Sequence, residues 1–305
     1  MALVAQYEVS ASRYRQITRV ALIALIFIVV SGGAVRLTGS GLGCTDWPNC
    51  SPGNLTPVSA NDFHAMVEFV NRVITGFVSI AVIVAVLGSV KRSAKRLDLV
   101  YLSLGLVGGV LAQIILGGIT VKTELSPPIV MSHFLLSMVL IANAVVLHHR
   151  AGEEDGARKL VVDDITNTIG RFLVAAATIV LFTGTMVTAA GPHAGDADVV
   201  RLNLEIGKVA RLHGTSVIML LSIAVVVLLN LRRIRAPQST QKAGTVLLIV
   251  LVAQGALGYI QYFTGVPEIL VGVHIFGASV LWVAVIRLTL SFRGVNHSQS
   301  PSMQA

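Results

Sequence analysis

From residue 17 to residue 37 the sequence reads ITRVALIALIFIVVSGGAVRL, in which charged residues stand only near the two ends. About 20 consecutive apolar residues are enough for a helix to cross the hydrocarbon core of a bilayer. Seven further blocks of this kind follow, so the sequence predicts eight transmembrane helices and an all-α integral membrane fold. The predicted spans lie near residues 17–37, 66–88, 99–121, 129–149, 168–190, 206–230, 243–263 and 270–291.

The composition of the 305-residue chain agrees with this fold class, since 54% of the residues are hydrophobic and 12% are charged. Soluble domains carry about 25% charged residues, so a soluble globular enzyme, a disordered chain and a secreted disulfide scaffold are excluded. An outer-membrane barrel is disfavoured, because its strands alternate polar and apolar residues over about 10 residues. The two cysteines are too few for an iron–sulfur cluster, which needs about four ligands.

The basic residues predict the orientation of the spans within the membrane. Of the 23 Lys and Arg residues, all but six lie near the two termini or near the joints after spans 2, 4 and 6. Because basic residues concentrate on the cytoplasmic side, we expect a plasma-membrane protein with both termini in the cytoplasm. The same distribution favours contact with membrane lipid over binding of nucleic acid, despite the net charge of +8. The six outward basic residues are Arg36, Arg72, Lys122, Arg201, Lys208 and Arg211.

A weak internal repeat divides the chain into two halves. The sequence Gln-Ile-Ile-Leu-Gly begins at Gln113, and its counterpart Gln-Gly-Ala-Leu-Gly begins 141 residues later at Gln254. A histidine follows each glutamine by 20 residues, at His133 and His274. With four spans in each repeat, both repeats begin on the same side of the membrane. We therefore expect two parallel four-helix bundles related by an axis along the membrane normal. The expected repeats comprise residues 1–150 and 151–305.

Histidines are the strongest functional signal, because four of them border or lie within the even-numbered spans. Polar side chains in a bilayer are costly and usually face the interior of the bundle. Ligation of a metal or haem is favoured over a proton relay or a structural role. Haem is favoured over zinc, since these ligands are single and stand on separate helices, as in haem-binding bundles. The four candidates are His64, His133, His213 and His274.

The two halves differ in their possible ligands. His213 and His274 form a plausible bis-histidine pair in the second half, whereas the counterpart of His213 in the first half is Asn71. His64 stands seven residues before Asn71, on roughly the same helical face but about 10 Å away along the axis. The sequence therefore predicts one closed site and one weakly or singly ligated site that could exchange its occupant.

Glu68 is an acidic residue near the outward start of span 2. An ionisable residue at this depth is a functional candidate, and its chemistry would be proton transfer or stabilisation of a cationic intermediate. The alternative is an ion pair with Arg72, at the favourable i,i+4 spacing.

Cys44 and Cys50 lie in the loop after span 1, which is expected to face outward, where disulfides persist. The short loop between them contains Pro48 and favours a disulfide bond. Such a bond would be either a structural staple or a redox-active pair.

Residues 33–50, GAVRLTGSGLGCTDWPNC, resemble the first outward loop of haem A synthases, and the spaced histidines and duplicated eight-span layout agree with that family. The resemblance implies oxidation of the methyl group at ring position 8 of haem O to a formyl group, with oxygen from water. The product would be haem A for cytochrome c oxidase. Further implied partners are an electron acceptor and a haem O synthase.

The resemblance also assigns roles to the candidate residues. It implies that His213 and His274 hold the iron of a haem b cofactor, and that His133 faces the iron of the substrate haem. Glu68 would be the acidic residue at the reacting edge. Many members carry Glu-x-x-His-Arg where this chain reads Glu-Phe-Val-Asn-Arg, so either His64 takes over as the second ligand or His133 acts alone.

Two other classes of protein share some of these features. A di-haem b-type electron-transfer protein would use the same histidines without chemistry on the ring. A transporter would also show repeats and polar residues within spans, but it more often has broken helices at the midplane.

Overall fold

A computed structural model describes residues 8–154, 156 and 158–295. Within these residues, eight helices are long and apolar enough to cross a membrane, which confirms the predicted spans and the all-α membrane fold. The protein is therefore a multi-pass membrane protein. The helices are α1 (Ala11–Leu37), α2 (Phe63–Val90), α3 (Leu97–Lys122), α4 (Pro127–Ala151), α5 (Asp164–Ala190), α6 (Ile206–Arg233), α7 (Gln238–Phe263) and α8 (Glu268–Leu290).

Side-chain caps and prolines set where several helices begin. The side chains of Ser10, Asp62 and Asp163 precede α1, α2 and α5 and accept hydrogen bonds from backbone N–H groups three residues later. These bonds satisfy donors that the first helical turn leaves without a partner. Pro127 and Pro128 open α4, where a missing backbone N–H costs nothing.

The helices form two four-membered rings with the same packing order. In the first ring α1 packs on α2, α2 on α3, α3 on α4 and α4 on α1, and α5 to α8 repeat this order. The rings meet through α4 and α8, with α1 against α8 and α4 against α5 on either side. This arrangement confirms the expected pair of parallel bundles, while the assignment of residues 1–150 and 151–305 to separate functional roles stays a prediction.

The repeat extends to the turns and to the interface between the rings. After α3 the backbone adopts positive φ angles at Glu124 (50°) and Leu125 (58°), and after α7 it does so at Gly265 (81°) and Val266 (60°). At the centre of the interface, Trp282 of α8 donates a 2.8 Å hydrogen bond from its indole N–H to a buried backbone carbonyl of α4.

Two short strands join the segment between the rings to the residues after α8. The sequence did not predict them. Strand β1 (Arg158–Leu160) pairs antiparallel with β2 (Arg293–Val295), with Lys159 opposite Gly294. The pair lies at the end of the bundle where the basic residues cluster.

The arrangement of the loops makes the predicted orientation testable. Ala94 lies in the exposed joint between α2 and α3, and Val58 is 81% exposed in the loop between α1 and α2. In a background with Cys44→Ser and Cys50→Ser, we expect Val58→Cys to react with a membrane-impermeant thiol reagent in intact cells. Ala94→Cys should react only after the membrane is opened. Labelling of Ala94→Cys in intact cells would contradict the predicted orientation.

Candidate functional site

Four polar side chains stand at nearly the same depth in the even-numbered helices. His133 and His274 are the seventh residues of α4 and α8, His213 is the eighth residue of α6, and Asn71 is the ninth of α2. At about 1.5 Å per residue, each lies roughly 10 Å inside its helix. Because α6 and α8 are diagonal in one ring and α2 and α4 are diagonal in the other, each bundle has one such pair across its interior.

The two histidines of the second half belong to one ring of helices. His213 and His274 stand on the diagonal helices α6 and α8 at nearly the same depth. Both side chains are half-buried. The two histidines that the sequence pairs in this half are therefore on facing helices of one bundle.

The repeated glutamines and glycines surround one histidine in each half. Gln113 donates from Nε2 to the backbone carbonyl of His133 at 3.1 Å, and Gln254 donates in the same way to His274 at 2.7 Å. The glycine four residues after each glutamine faces the imidazole of that histidine. A Cβ atom at Gly117 would lie 3.4 Å from Cε1 of His133, and a Cβ at Gly258 would lie 3.3 Å from Cε1 of His274. The repeated motif thus positions the histidine backbone and lets the imidazole pack against the helix at the glycine.

The ring nitrogens of His133 and His274 distinguish them from the other histidines of the described segments. Neither ring is hydrogen-bonded to a described residue, and Nδ1 of each is buried without a partner. A buried polar group left unsatisfied costs about 1–3 kcal/mol, so a partner from outside the protein is expected. Each of the remaining described histidines has a polar partner for a ring nitrogen: His64 has Ser40, His148 has Thr18, His149 has Glu153, His193 has the carbonyl of Val266, and His213 has Thr183.

A hydroxyl group on the preceding helix orients His213. The Oγ1 atom of Thr183 on α5 lies 3.1 Å from Nδ1 of His213, and its own proton is directed to backbone carbonyls one turn earlier. Because the hydroxyl proton of Thr183 is used in those bonds, its oxygen is left to accept a hydrogen bond from Nδ1–H of His213. We therefore assign the tautomer of His213 that is protonated on Nδ1. This tautomer leaves the lone pair on Nε2, as a metal-ligating histidine requires.

Asn71 has the same kind of support in the first half. Ser31 on α1 donates to Oδ1 of Asn71 at 2.8 Å, as Thr183 on α5 supports His213. The hydroxyl support is therefore retained while the side chain that it holds has changed from an imidazole to a carboxamide. Sequence comparison of the halves found the change at Asn71 but not the two hydroxyl groups.

His64 lies outside this layer. It is the second residue of α2, and its side chain is exposed. Its Nδ1 lies 3.0 Å from Oγ of Ser40, in the loop between α1 and α2. The helical rise separates it from Asn71 by about 10 Å. The structure thus places His64 at the helix end and does not bring it beside Asn71.

Glu68 is buried one turn closer to the outer surface than Asn71, with 6% of its area exposed. One carboxylate oxygen accepts the backbone N–H of Cys44 at 2.8 Å, and the other accepts from Nη2 of Arg72 at 2.6 Å. The ion pair with Arg72, which the sequence offered as the alternative to a catalytic role, is therefore present. It fixes both oxygens of the carboxylate.

Arg72 extends this contact to the rest of the cysteine loop. Its Nη1 donates to the backbone carbonyl of Asn49 at 2.7 Å and to that of Pro48 at 3.3 Å. The predicted disulfide between Cys44 and Cys50 is present, with an S–S distance of 2.01 Å. Glu68 and Arg72 together hold the disulfide loop on the outer part of α2.

Arg36 connects the two halves at the same end of the molecule. Its Nε donates to the backbone carbonyl of His193 at 2.6 Å, and its Nη2 donates to that of Thr188 at 2.8 Å. A backbone hydrogen bond from Gly41 to Gly195 joins the same two segments at 2.8 Å. From the sequence, Arg36 was predicted only to be an outward basic residue. Its position in the last turn of an apolar span was the available signal for a structural role.

The fold and this site define a duplicated membrane protein whose described residues form eight long helices and carry, in each half, a histidine with a buried and unpartnered Nδ1. The chain belongs to the family of cytochrome oxidase assembly proteins described as COX15-CtaA, whose family model matches residues 15–197, more than half of its length. The match covers the first ring from residue 15 of α1 onward, the cysteine loop and α5.

Several curated relatives carry the name "Heme A synthase". The chain is 30% identical over 135 residues to the protein of Exiguobacterium sibiricum, covering 43% of this chain and 45% of the relative. It is 29% identical over 175 residues to that of Lysinibacillus sphaericus, covering 55% of each. A longer alignment, with the protein of Shouchella clausii, has 23% identity over 249 residues and covers 77% of this chain and 82% of the relative. In the first two alignments the chain spans about half the length of the relative.

Proposed function

We propose that this protein is a haem A synthase, a membrane haem-dependent oxidoreductase that converts haem O into haem A. The observation that carries the proposal is the occurrence of His133 and His274 at equivalent positions, each with a buried ring nitrogen that no described protein group satisfies. The names of the relatives support the same activity. Haem fits these residues, since imidazoles on facing helices of a bundle are its usual ligands.

The difference between the halves supports an assignment of the two haem groups. His213 and His274 would hold haem b in the second half, where two imidazoles stand on facing helices and Thr183 orients His213. His133 would bind the iron of haem O in the first half, opposite Asn71, which is a poor iron ligand. A substrate must enter and leave, and a site with a single imidazole ligand releases its occupant more easily than one with two. When bound, haem b would supply one-electron redox chemistry.

The reaction places specific demands on the residues around the substrate. Conversion of a methyl group to a formyl group with water releases four electrons and four protons, and positive charge develops at the ring edge. Glu68, one turn from Asn71, is the candidate to stabilise this charge or take up protons. Its orientation is set by Arg72 and by the N–H of Cys44. Positioned acid–base groups typically contribute about 10²–10⁴-fold to the rate.

The proposed activity requires partners that lie outside this chain. An electron acceptor must remove the electrons, and a haem O synthase would supply the substrate. With both termini in the cytoplasm, the histidine layer would lie toward the outer side of the plasma membrane. The disulfide loop, whether staple or redox-active pair, would cover the substrate half from that side.

Extraction of haem from protein expressed with a source of haem O tests this function together with the role of Glu68. Wild-type protein should yield haem A. Glu68→Gln keeps the size of the side chain but removes its charge, so we expect haem O or an alcohol intermediate to accumulate, with haem A per molecule reduced about 10²-fold or more. The measurement is chromatography of extracted haems, normalised to protein.

Arg72→Gln is the matched control, because it removes the ion pair and the bonds to the loop but leaves the carboxylate. If Glu68 acts only through this ion pair, both variants should lose folded protein to a similar degree and no intermediate should accumulate. Wild-type haem A yield in Glu68→Gln would exclude a catalytic role. Haem B as the sole pigment of the wild type would instead indicate a di-haem electron carrier, and absence of pigment would favour a transporter.

Histidine variants test the assignment of the cofactor to the second half. His213→Ala and His274→Ala should each abolish the low-spin haem b spectrum of purified protein, because a single remaining imidazole leaves the iron five-coordinate. His133→Ala should retain that spectrum and lose binding of haem O. The assignment is wrong if His133→Ala removes the haem b signal while the other two variants keep it.

Asn71→His tests the proposed open face of the substrate site. The new imidazole would stand where Ser31 can support it as Thr183 supports His213, and the substrate iron should gain a second ligand. We expect a low-spin spectrum for bound haem O and slower release of haem O to an apoprotein acceptor. Asn71→Gln is the control and should show neither change. An unchanged spectrum in Asn71→His would show that position 71 does not face the iron.

A further inference from the structure

A cavity of about 490 Å³ lies at the end of the molecule opposite the histidine layer, between the first turns of α1 and the last turn of α4. Its polar lining comes from side chains of both helices, and none of the lining residues is acidic. The polar residues that line it are Ser12, Arg15, Gln16, Arg19 and His148. The cavity has no part in the function proposed above.

The two arginines give this cavity a permanent positive charge. A guanidinium group stays protonated in proteins and presents five N–H donors. In the described ranges, Arg72, Arg96 and Arg158 each pair with a carboxylate, whereas neither Arg15 nor Arg19 forms an ion pair. His148 is held at the cavity by a 3.1 Å contact between its Nδ1 and Oγ1 of Thr18. The cavity therefore has the charge and the donors to bind an anion.

An apolar stripe on α1 continues from the cavity toward the middle of the membrane. Val20, Ile23 and Phe27 are 58%, 59% and 56% exposed. They follow Gln16 at intervals of three or four residues, so all four lie on one face of the helix. A ligand with an anionic head and long apolar chains matches this combination, because its head would meet the arginines while its chains lie along the stripe.

We propose that this cavity binds the phosphate group of an anionic phospholipid, with the acyl chains along Val20, Ile23 and Phe27. Basic pockets between transmembrane helices on the cytoplasmic side commonly bind lipid head groups of this kind. The distribution of basic residues places the cavity on that side. A soluble phosphate would use the same arginines but would gain nothing from the exposed apolar stripe.

Native mass spectrometry of the full-length protein in detergent tests the proposal, with phosphatidylglycerol and phosphatidylcholine of identical acyl chains as probes. Wild-type protein should retain one phosphatidylglycerol molecule with an apparent affinity about tenfold or more above that for phosphatidylcholine. Arg15→Gln/Arg19→Gln should lose this preference, and Arg15→Lys/Arg19→Lys should keep most of it. Lys91→Gln/Lys95→Gln is the matched control, because it removes two exposed charges from the same end without touching the cavity, and it should behave as wild type.

Several outcomes would overturn the proposal. Equal preference for phosphatidylglycerol in wild type and Arg15→Gln/Arg19→Gln would show that the lipid binds elsewhere. If Arg15→Gln/Arg19→Gln and Lys91→Gln/Lys95→Gln lose the preference for phosphatidylglycerol equally, the preference reflects the overall charge of this end and not a site. Displacement of the bound lipid by millimolar inorganic phosphate would identify a soluble anion as the ligand. As a control for folding, the thermal unfolding midpoint of each variant is measured without lipid. A midpoint equal to that of wild type establishes that the variant is folded.

Discussion

A polar group inside a bilayer must find its partner within the protein, because the hydrocarbon offers none. This constraint accounts for the eight continuous helices and for the many hydroxyl side chains that bond to carbonyls one turn earlier. Buried polar groups that lack a partner within the described residues are therefore unusual. The imidazoles of His133 and His274 are hydrogen-bonded to none of the described residues, although each occupies an interior position that a repeated glutamine and glycine prepare. This arrangement is the basis for the haem sites proposed above.

Duplication explains both the similarity and the difference between the halves. The glutamine, glycine and histidine of α3 and α4 recur in α7 and α8 with the same contacts. On α2 and α6 the supporting hydroxyl recurs, but the side chain that it holds is a carboxamide in one half and an imidazole in the other. Under the proposed function, this single difference at Asn71 would make one half a tightly ligated cofactor site and the other a more open substrate site.

The outer end of the molecule combines this chemistry with structural support. Glu68 lies one turn from Asn71 and anchors the disulfide loop through Cys44 and Arg72. In the proposed function the same carboxylate would also act at the reacting edge, where fixed donors would hold it in one orientation. Arg36 adds hydrogen bonds to the other half at this end. Activity and loop position are thus expected to depend on each other.

The sequence by itself determined the features that depend on local pattern. Hydropathy located all eight helices, the constant spacing of 141 residues revealed the repeat, and the interior histidines indicated ligand sites. The i,i+4 pair of Glu68 and Arg72 and the Cys44–Cys50 disulfide were also predicted, because each joins residues close in sequence. Only the tertiary structure decided which residues from distant helices meet. It paired Ser31 with Asn71 and Thr183 with His213, placed His64 outside the histidine layer, and formed the arginine-lined cavity between α1 and α4. Periodicity shows which face of a helix is buried, but the neighbour of that face depends on how all eight helices pack.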